Sequence, residues 1–382
     1  MKRRLLVLLV AVATVLAIAA VGCTPQSPDP GTTPTSPTTP TTPTTPSQPS
    51  GKTYNWTFLH EHPSGTPFFN YCTGVAADLK AASNGQMSMK VSPGGEIVGA
   101  YDIAEALRDG VAECGWGNGT AQVKVIGPVG YLLTPTGLPG GADPFDLLAW
   151  YYTGGGNQIV EDIFSQWGIP VGAIPGEAEI FCHSNVKLES MADFNGVKFR
   201  TMGMWAEVLQ DNGASVVTLA GSEIYEAAQR GVIDAFEYCP PAQDWPMGFQ
   251  EITKYVGVPG IHSPGYLTYV LTNHDSWNAL PAELQVMFSS IWKTAVVDHF
   301  MAMLFDDGVA MQAYEDYGNE VITLSEEAQE AVAKAGLAIC EKYAAEDATF
   351  KMVFDHQTAF FKTIRRQTQQ VAPKYSLFDY AA

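Results

Sequence analysis

Positive charge is scarce in this chain. Its 382 residues hold 21 Lys and Arg against 40 Asp and Glu, a formal net charge of −19 at pH 7. Such a surface repels a phosphate backbone, which excludes nucleic acid as a partner. The global sign does not fix the sign of a small ligand, because a local pocket can oppose it. Charged residues of either sign make up only 16% and aromatics 11%, a balance that suits a well-packed globule. Catalytic signatures are missing. No Gly-x-Ser-x-Gly elbow, no phosphate-binding P-loop and no His-Glu-x-x-His pair occurs, and the seven His are scattered. One enzymatic reading remains, a metal-dependent hydrolase built on Cys182, His183, Glu177 and Glu179. It is disfavoured because adjacent residues on a strand point to opposite faces. The expectation is a binding protein and not an enzyme. No Cys-x-x-Cys or Cys/His zinc spacing is present among the six cysteines.

The first apolar run, residues 5–20, is short for a membrane span and no stop-transfer charges follow it. Lys2, Arg3 and Arg4 precede it, and Ala20, Val21, Gly22 and Cys23 close it. This is a secretory signal over residues 1–22. Its end resembles a bacterial lipobox, in which the cysteine is acylated and becomes the new N-terminus, so Cys23 is the expected lipidation site. The expected address is therefore extracytoplasmic and membrane-anchored, in the periplasm or on the outer face of the cell membrane. Residues 23–52 are Thr, Pro and Ser with almost no apolar side chain. They cannot bury a core and read as a disordered, semi-rigid tether. With Cys23 lipidated, Cys72, Cys114, Cys182, Cys239 and Cys340 remain. Either one disulfide forms, with Cys182–Cys239 as first choice, or all five are buried thiols.

The most informative stretch is residues 224–238. It reads as a helix stopped by Gly231, a short buried strand, and then Glu237 and Tyr238 where the strand ends. Residues 103–116 repeat the layout, with Ile103 preceding Gly110 as Ile224 precedes Gly231. Strand ends are where an open α/β sheet presents groups to a ligand. Two similar lobes with a ligand between them is the simplest architecture that explains the repeat.

The rest of the pattern agrees. Strands are predicted at 55–59, 87–91, 112–116, 171–175, 180–183, 197–200, 216–219 and 266–272, alternating with helical segments. From residue 281 onward the pattern is almost all helix. The fold class is α/β, two lobes with mixed sheets and a helical C-terminal portion. The predicted organisation is lobe I mainly from 53–173, lobe II mainly from 174–270, bracing C-terminal elements over 271–370, and a tail over 371–382. The C-terminal helices could also support a homodimer.

Four segments carry a family resemblance: residues 93–97, 105–110, 194–200 and 231–237. Their order and spacing resemble the solute-binding protein of tripartite ATP-independent (TRAP) transporters, a periplasmic-binding-protein-like clamshell. Residues 237–241 and Pro259-Gly260 look most like the branch that binds 2-oxo acids or lactate together with a metal ion. The resemblance implies capture of a small monocarboxylate and delivery to a membrane permease. A lipid-anchored sensor presenting the same ligand to a receptor is the alternative.

Arg200 ends an apolar strand beside Thr201 and Gly203. A guanidinium there can meet a carboxylate with two parallel N–H bonds, and the resemblance puts the family's carboxylate clamp at this residue. The other reading is a surface Arg lying along the strand end. The resemblance makes Glu237 a metal ligand, with the backbone carbonyl and ring of Tyr238 beside it. It also implies a ligand near Glu177, where the branch usually has Gln. Glu177 is the first choice, and Glu179 replaces it if the loop is shifted by two. Two carboxylates plus a carboxylate ligand favour Ca²⁺ over Na⁺. Asp234, on the other face of the strand, reads as structural. By pseudo-symmetry Trp116, Asn118 and Thr120 face the cleft from lobe I, unless they only form a Gly-rich turn. His262 and Tyr266 follow Pro259-Gly260 and are candidates to close the cleft. Trp205 either covers the ligand or packs in lobe II.

Overall fold

The alternating residues at the start of the folded part become strand β1 (Tyr54–Leu59), which turns Trp56 and Phe58 into the core. The structure, a computed structural model, describes residues 51–372. The signal segment, Cys23 and the tether up to residue 50 lie outside the described residues, as do residues 373–382.

Two mixed sheets form the body. The first contains β1, β2 (Met87–Ser92), β3 (Cys114–Gly117), β4 (Ile169–Gly176) and β10 (Tyr266–Thr272), in the order β2-β1-β3-β10-β4. Strand β1 runs parallel to β2 and β3, while β10 is antiparallel to β3 and β4. The second sheet contains β5 (Cys182–Ser184), β6 (Lys198–Arg200), β7 (Ser215–Val217), β8 (Ala235–Phe236), β9 (Tyr255–Val258) and β11 (Glu320–Thr323), in the order β11-β9-β5-β8-β6-β7. The two-lobe α/β class read from the sequence is the observed one.

Both copies of the repeated unit fold alike. Helix Ile103–Arg108 stops, Gly110 turns the chain at φ 73°, and β3 follows. Helix Gly221–Gln229 stops, Gly231 turns it at φ 68°, and β8 follows. A side chain would strain either turn, which is why glycine holds the same place twice.

Lobe II ends earlier than predicted. Strand β10 begins at Tyr266 and sits inside the first sheet, so residues 266–270 belong to lobe I. Strands β9 and β11 were not foreseen; they pair with each other in parallel at the edge of the second sheet. The chain crosses between the sheets over residues 177–181 and returns over 259–265. These segments touch each other: Glu179 N–H donates to Ser263 O at 3.1 Å. Only glycine fits at 260, because a Cβ there would lie 1.9 Å from the Glu179 carbonyl oxygen.

Helix Ala282–Tyr317 braces both lobes. It buries Leu284, Phe288, Trp292 and Val296 at four-residue spacing on one face. Trp292 stacks on Phe58 of the first sheet at 5.4 Å between ring centres. Tyr314, near its other end, meets His183 of the second sheet at 5.5 Å. Full burial of a side chain such as Phe58 or Phe288 contributes about 1.5–3 kcal/mol. All five described cysteines are free and buried, so the Cys182–Cys239 disulfide does not form.

Candidate functional site

Parallel pairing in the second sheet brings the two principal charges together. Strand β6 lies beside β8 with Arg200 opposite Phe236, so the next residue, Glu237, comes within reach of the guanidinium. Arg200 Nη1 donates to the Glu237 carbonyl at 2.7 Å and to its carboxylate Oε1 at 3.2 Å. Nε and Nη2 both donate to Leu219 O, at 3.1 and 2.8 Å. The ring of Tyr238 lies 5.7 Å from the guanidinium carbon. Arg200 is 2% exposed and Glu237 is fully buried, so this is not a surface arginine.

A cavity of about 40 Å³ opens where the strands of the two lobes end. It has room for on the order of three water-sized groups. Lobe I contributes Glu61, His62, Tyr101 and Asn118 to its wall, and lobe II contributes Arg200 and Tyr238. Glu179, from the first crossing segment, and Tyr266 complete it. The lobes touch across it, since His62 Nδ1 and the Tyr238 hydroxyl are 2.8 Å apart. Asn118 donates to Glu61 Oε1 at 3.0 Å.

Several expectations move. Glu177 is not in the cavity wall. Burial raises its pKa, and the nearby acids Asp307 and Asp143 raise it further. Strand β4 ends at Gly176 and the chain turns, which gives the inward place to Glu179. Thr120 faces away, its hydroxyl donating to Thr134 O. Trp116 is core, with its ring 4.6 Å from His60 and edge-on to Phe68. Glu237 and His262 do not line the cavity. Trp205 is fully buried against Phe181 and Phe194. Asp234 is structural, accepting from Lys198 N–H at 3.0 Å. Cys182 and His183 diverge as neighbours on a strand must, and His183 Nε2 meets buried Asp244 at 3.0 Å, away from Glu179. Glu61, His62 and Tyr101 were missed. The only signal in the sequence is the His-Glu-His run that follows the first strand.

The carboxyls here are under-neutralised. Glu179, Glu237 and His262 are all buried and place one ligand atom each within 4.8 Å of the others. Glu179 Oε1, His262 Nδ1 and Glu237 Oε2 lack a hydrogen-bond partner, and His262 Nε2 faces Glu179 Oε2 at 3.3 Å. Burial pushes Glu179 up to about 8 and also raises Glu237, although Arg200 pulls Glu237 down. Burial lowers His262 to about 4, so its ring is neutral at pH 7. Once Glu179 gives up its proton, one guanidinium does not balance the two buried carboxylates, and a small cation among these three side chains fits the donor set.

The titrations predict a pH profile for the ligand-free protein. Burial raises Glu61 and Asp307 to about 7, and raises Glu177 to the same value and Glu179 to about 8. Their unfolded values are near 4, so the native state keeps protons that the unfolded state releases, and stability falls as pH rises through this window. Burial lowers His62, His183 and His299 to about 3 and His262 to about 4, which has the opposite sign below pH 6.5. The two sets oppose each other from about pH 4.5 to 6.5, and only the acids remain from about 6.5 to 8. Tm should therefore drop between pH 6.5 and 8 in chelator-treated protein, and Glu61→Gln should shallow the drop. A flat or rising Tm over that interval would contradict the assignment.

Residues 58–347 match the family described as DctP, bacterial extracellular solute-binding protein, family 7. The monocarboxylate 2-oxoacid-binding periplasmic protein of Nostoc is 30% identical over 316 residues, 81% of this chain and 84% of that protein. A TRAP periplasmic solute-binding protein from Colwellia psychrerythraea, with bound calcium and pyruvate, superimposes with a TM-score of 0.76 at 25% identity, covering 84% of this chain and 98% of that one. A second, from Pseudoalteromonas atlantica with bound sodium and pyruvate, gives 0.75 at 24% identity, covering 84% and 97%. The seam between two sheets, the buried arginine at the end of β6 and the match over most of the folded part lead to one conclusion: this chain belongs to the DctP family of extracytoplasmic solute-binding proteins of TRAP transporters, which are receptors and not enzymes.

Proposed function

We propose that the cleft captures a small monocarboxylate, a 2-oxo or 2-hydroxy acid, together with a metal ion. The observation that carries this is the convergence of Arg200, Tyr238 and Glu179 on one small cavity whose opposite wall is Glu61 and Asn118. An anion entering there meets the guanidinium, whose bonds to the neutral Leu219 carbonyl are ones a carboxylate can replace with stronger, charge-assisted bonds. The volume favours an acid of a few carbons, in keeping with what the Nostoc and Colwellia proteins bind. Three negative groups would then face one guanidinium. A divalent ion such as Ca²⁺ balances them and Na⁺ leaves an excess, although pyruvate accompanies sodium in the Pseudoalteromonas protein. Glu179, Glu237 and the Tyr238 carbonyl are the proposed oxygen ligands.

Delivery follows from the address. A lipid on Cys23 holds the protein at the membrane, and the Thr/Pro-rich segment lets the clamshell reach the permease. Closure around acid and ion shifts the population toward one docking-competent shape. A thermal-shift screen of carboxylic acids, run after chelation with and without added Ca²⁺, tests the reading. Pyruvate, lactate or a close homologue should raise Tm, more so with Ca²⁺. A screen in which no carboxylate moves Tm under either condition would refute it.

A further inference from the structure

We infer that the cation site of this chain is built for a first-row divalent transition ion, with His262 as a nitrogen ligand beside Glu179 and Glu237. The inference rests on the proposed binding of an acid with a metal ion and concerns which ion the side chains select. The geometry is fixed by the two crossing segments. The bond from Glu179 N–H to Ser263 O sets them side by side, and Gly260 lets them approach. His262 Nε2 comes to 3.3 Å from Glu179 Oε2. The imidazole is held by Phe181, edge-on at 5.5 Å, and by Trp205 at 6.0 Å. It is fully buried, as is Glu237, and Glu179 is 2% exposed.

Buried polar atoms are nearly always paired, and here Glu179 Oε1, Glu237 Oε2 and His262 Nδ1 have no hydrogen-bond partner, while Glu179 Oε2 and His262 Nε2 face each other at 3.3 Å. A single ion within reach of all three would satisfy one oxygen of Glu179, Oε2 of Glu237 and one nitrogen of His262. Calcium and sodium take oxygen donors, whereas an imidazole nitrogen moves preference toward manganese and, more strongly, zinc. Three side-chain ligands and the Tyr238 carbonyl leave positions on a six-coordinate ion for the oxygens of a small acid. The choice of ion is thus written in His262, and the two carboxylates alone would not make it.

The test uses the full chain stripped by chelation and titrated calorimetrically with Zn²⁺, Mn²⁺, Ca²⁺ and Na⁺, each with and without pyruvate. Zn²⁺ and Mn²⁺ should bind at least about tenfold more tightly than Ca²⁺. Pulsed electron paramagnetic resonance of the Mn²⁺ form should show coupling to a ¹⁴N nucleus. His262→Gln should remove that coupling and abolish the preference for Mn²⁺ and Zn²⁺ over Ca²⁺. Ca²⁺ binding as tightly as Mn²⁺, a Mn²⁺ spectrum without nitrogen coupling, or no ion binding at all would overturn the inference, whether or not the variant folds. The proposed function fails separately, if pyruvate and its homologues do not bind with any ion present.

Discussion

Arg200→Lys is expected to weaken carboxylate binding by more than about tenfold, at least 1.4 kcal/mol, although the charge is kept. The guanidinium reaches two acceptors on opposite sides at once: Leu219 O through Nε and Nη2, and the Glu237 carbonyl through Nη1 at 2.7 Å. A lysine ammonium is a single point with three tetrahedral donors and cannot span both. Nor can it offer a carboxylate two parallel N–H bonds. Lysine would also leave Leu219 O or the Glu237 carbonyl without its partner, so Tm of the ligand-free protein should fall as well. Calorimetry of the best acid from the thermal screen measures the first effect. An unchanged Kd would take Arg200 out of the binding site.

Glu237→Ala should have the largest effect on stability, a loss of about 3–5 kcal/mol, because it strands a buried guanidinium without its counter-charge. Both side chains are almost wholly buried, at 2% and 1% exposure, so solvent screens little of this. The same change removes the hydrogen bond that Oε1 accepts from Met202 N–H at 3.2 Å. Glu237→Gln separates the two roles. Its amide oxygen can still accept from Arg200 and Met202, so it should cost less stability than the alanine change, while the benefit of an added divalent ion disappears. Urea unfolding of both variants, with and without Ca²⁺, reads the outcome. A loss below about 1 kcal/mol for the alanine variant would mean that the carboxyl is protonated in the native state and that no ion pair exists there.

The fold was legible where local chemistry repeats itself. Gly110 and Gly231 mark the same turn after the same kind of helix, and both turns lead into strands of the sheets. Asp143-Pro144 is a helix-start signal, and the Asp143 side chain accepts from Asp146 N–H at the N-terminus of that helix. Strands β9 and β11 were not legible. Each has four residues, and both belong to the second sheet through pairing with distant segments, which no local pattern records. Strand β10 was recognised as a strand but not as the return to lobe I, for the same reason.

In the site, Arg200 and Glu237 were legible from their places at strand ends. Their contact was not, since it depends on β6 lying next to β8. The choice between Glu177 and Glu179 turned on where β4 stops, a matter of two residues. Thr120 was misjudged because its hydroxyl is used by a backbone carbonyl fourteen residues away, in Thr134. Glu61 and His62 face the cleft only because lobe II supplies Tyr238 on the far side, and a loop read alone gives no sign of that.

Residues 177–181 and 259–265 have a double duty. They join the two sheets, so closure of the proposed cleft would bend them, and they also carry Glu179 and His262, which the proposed cation site uses. Drift in either segment cannot retune selectivity and leave the swing untouched, or the reverse. A lineage of such receptors that takes up new cargo by altering this joint should therefore change its opening motion in the same step.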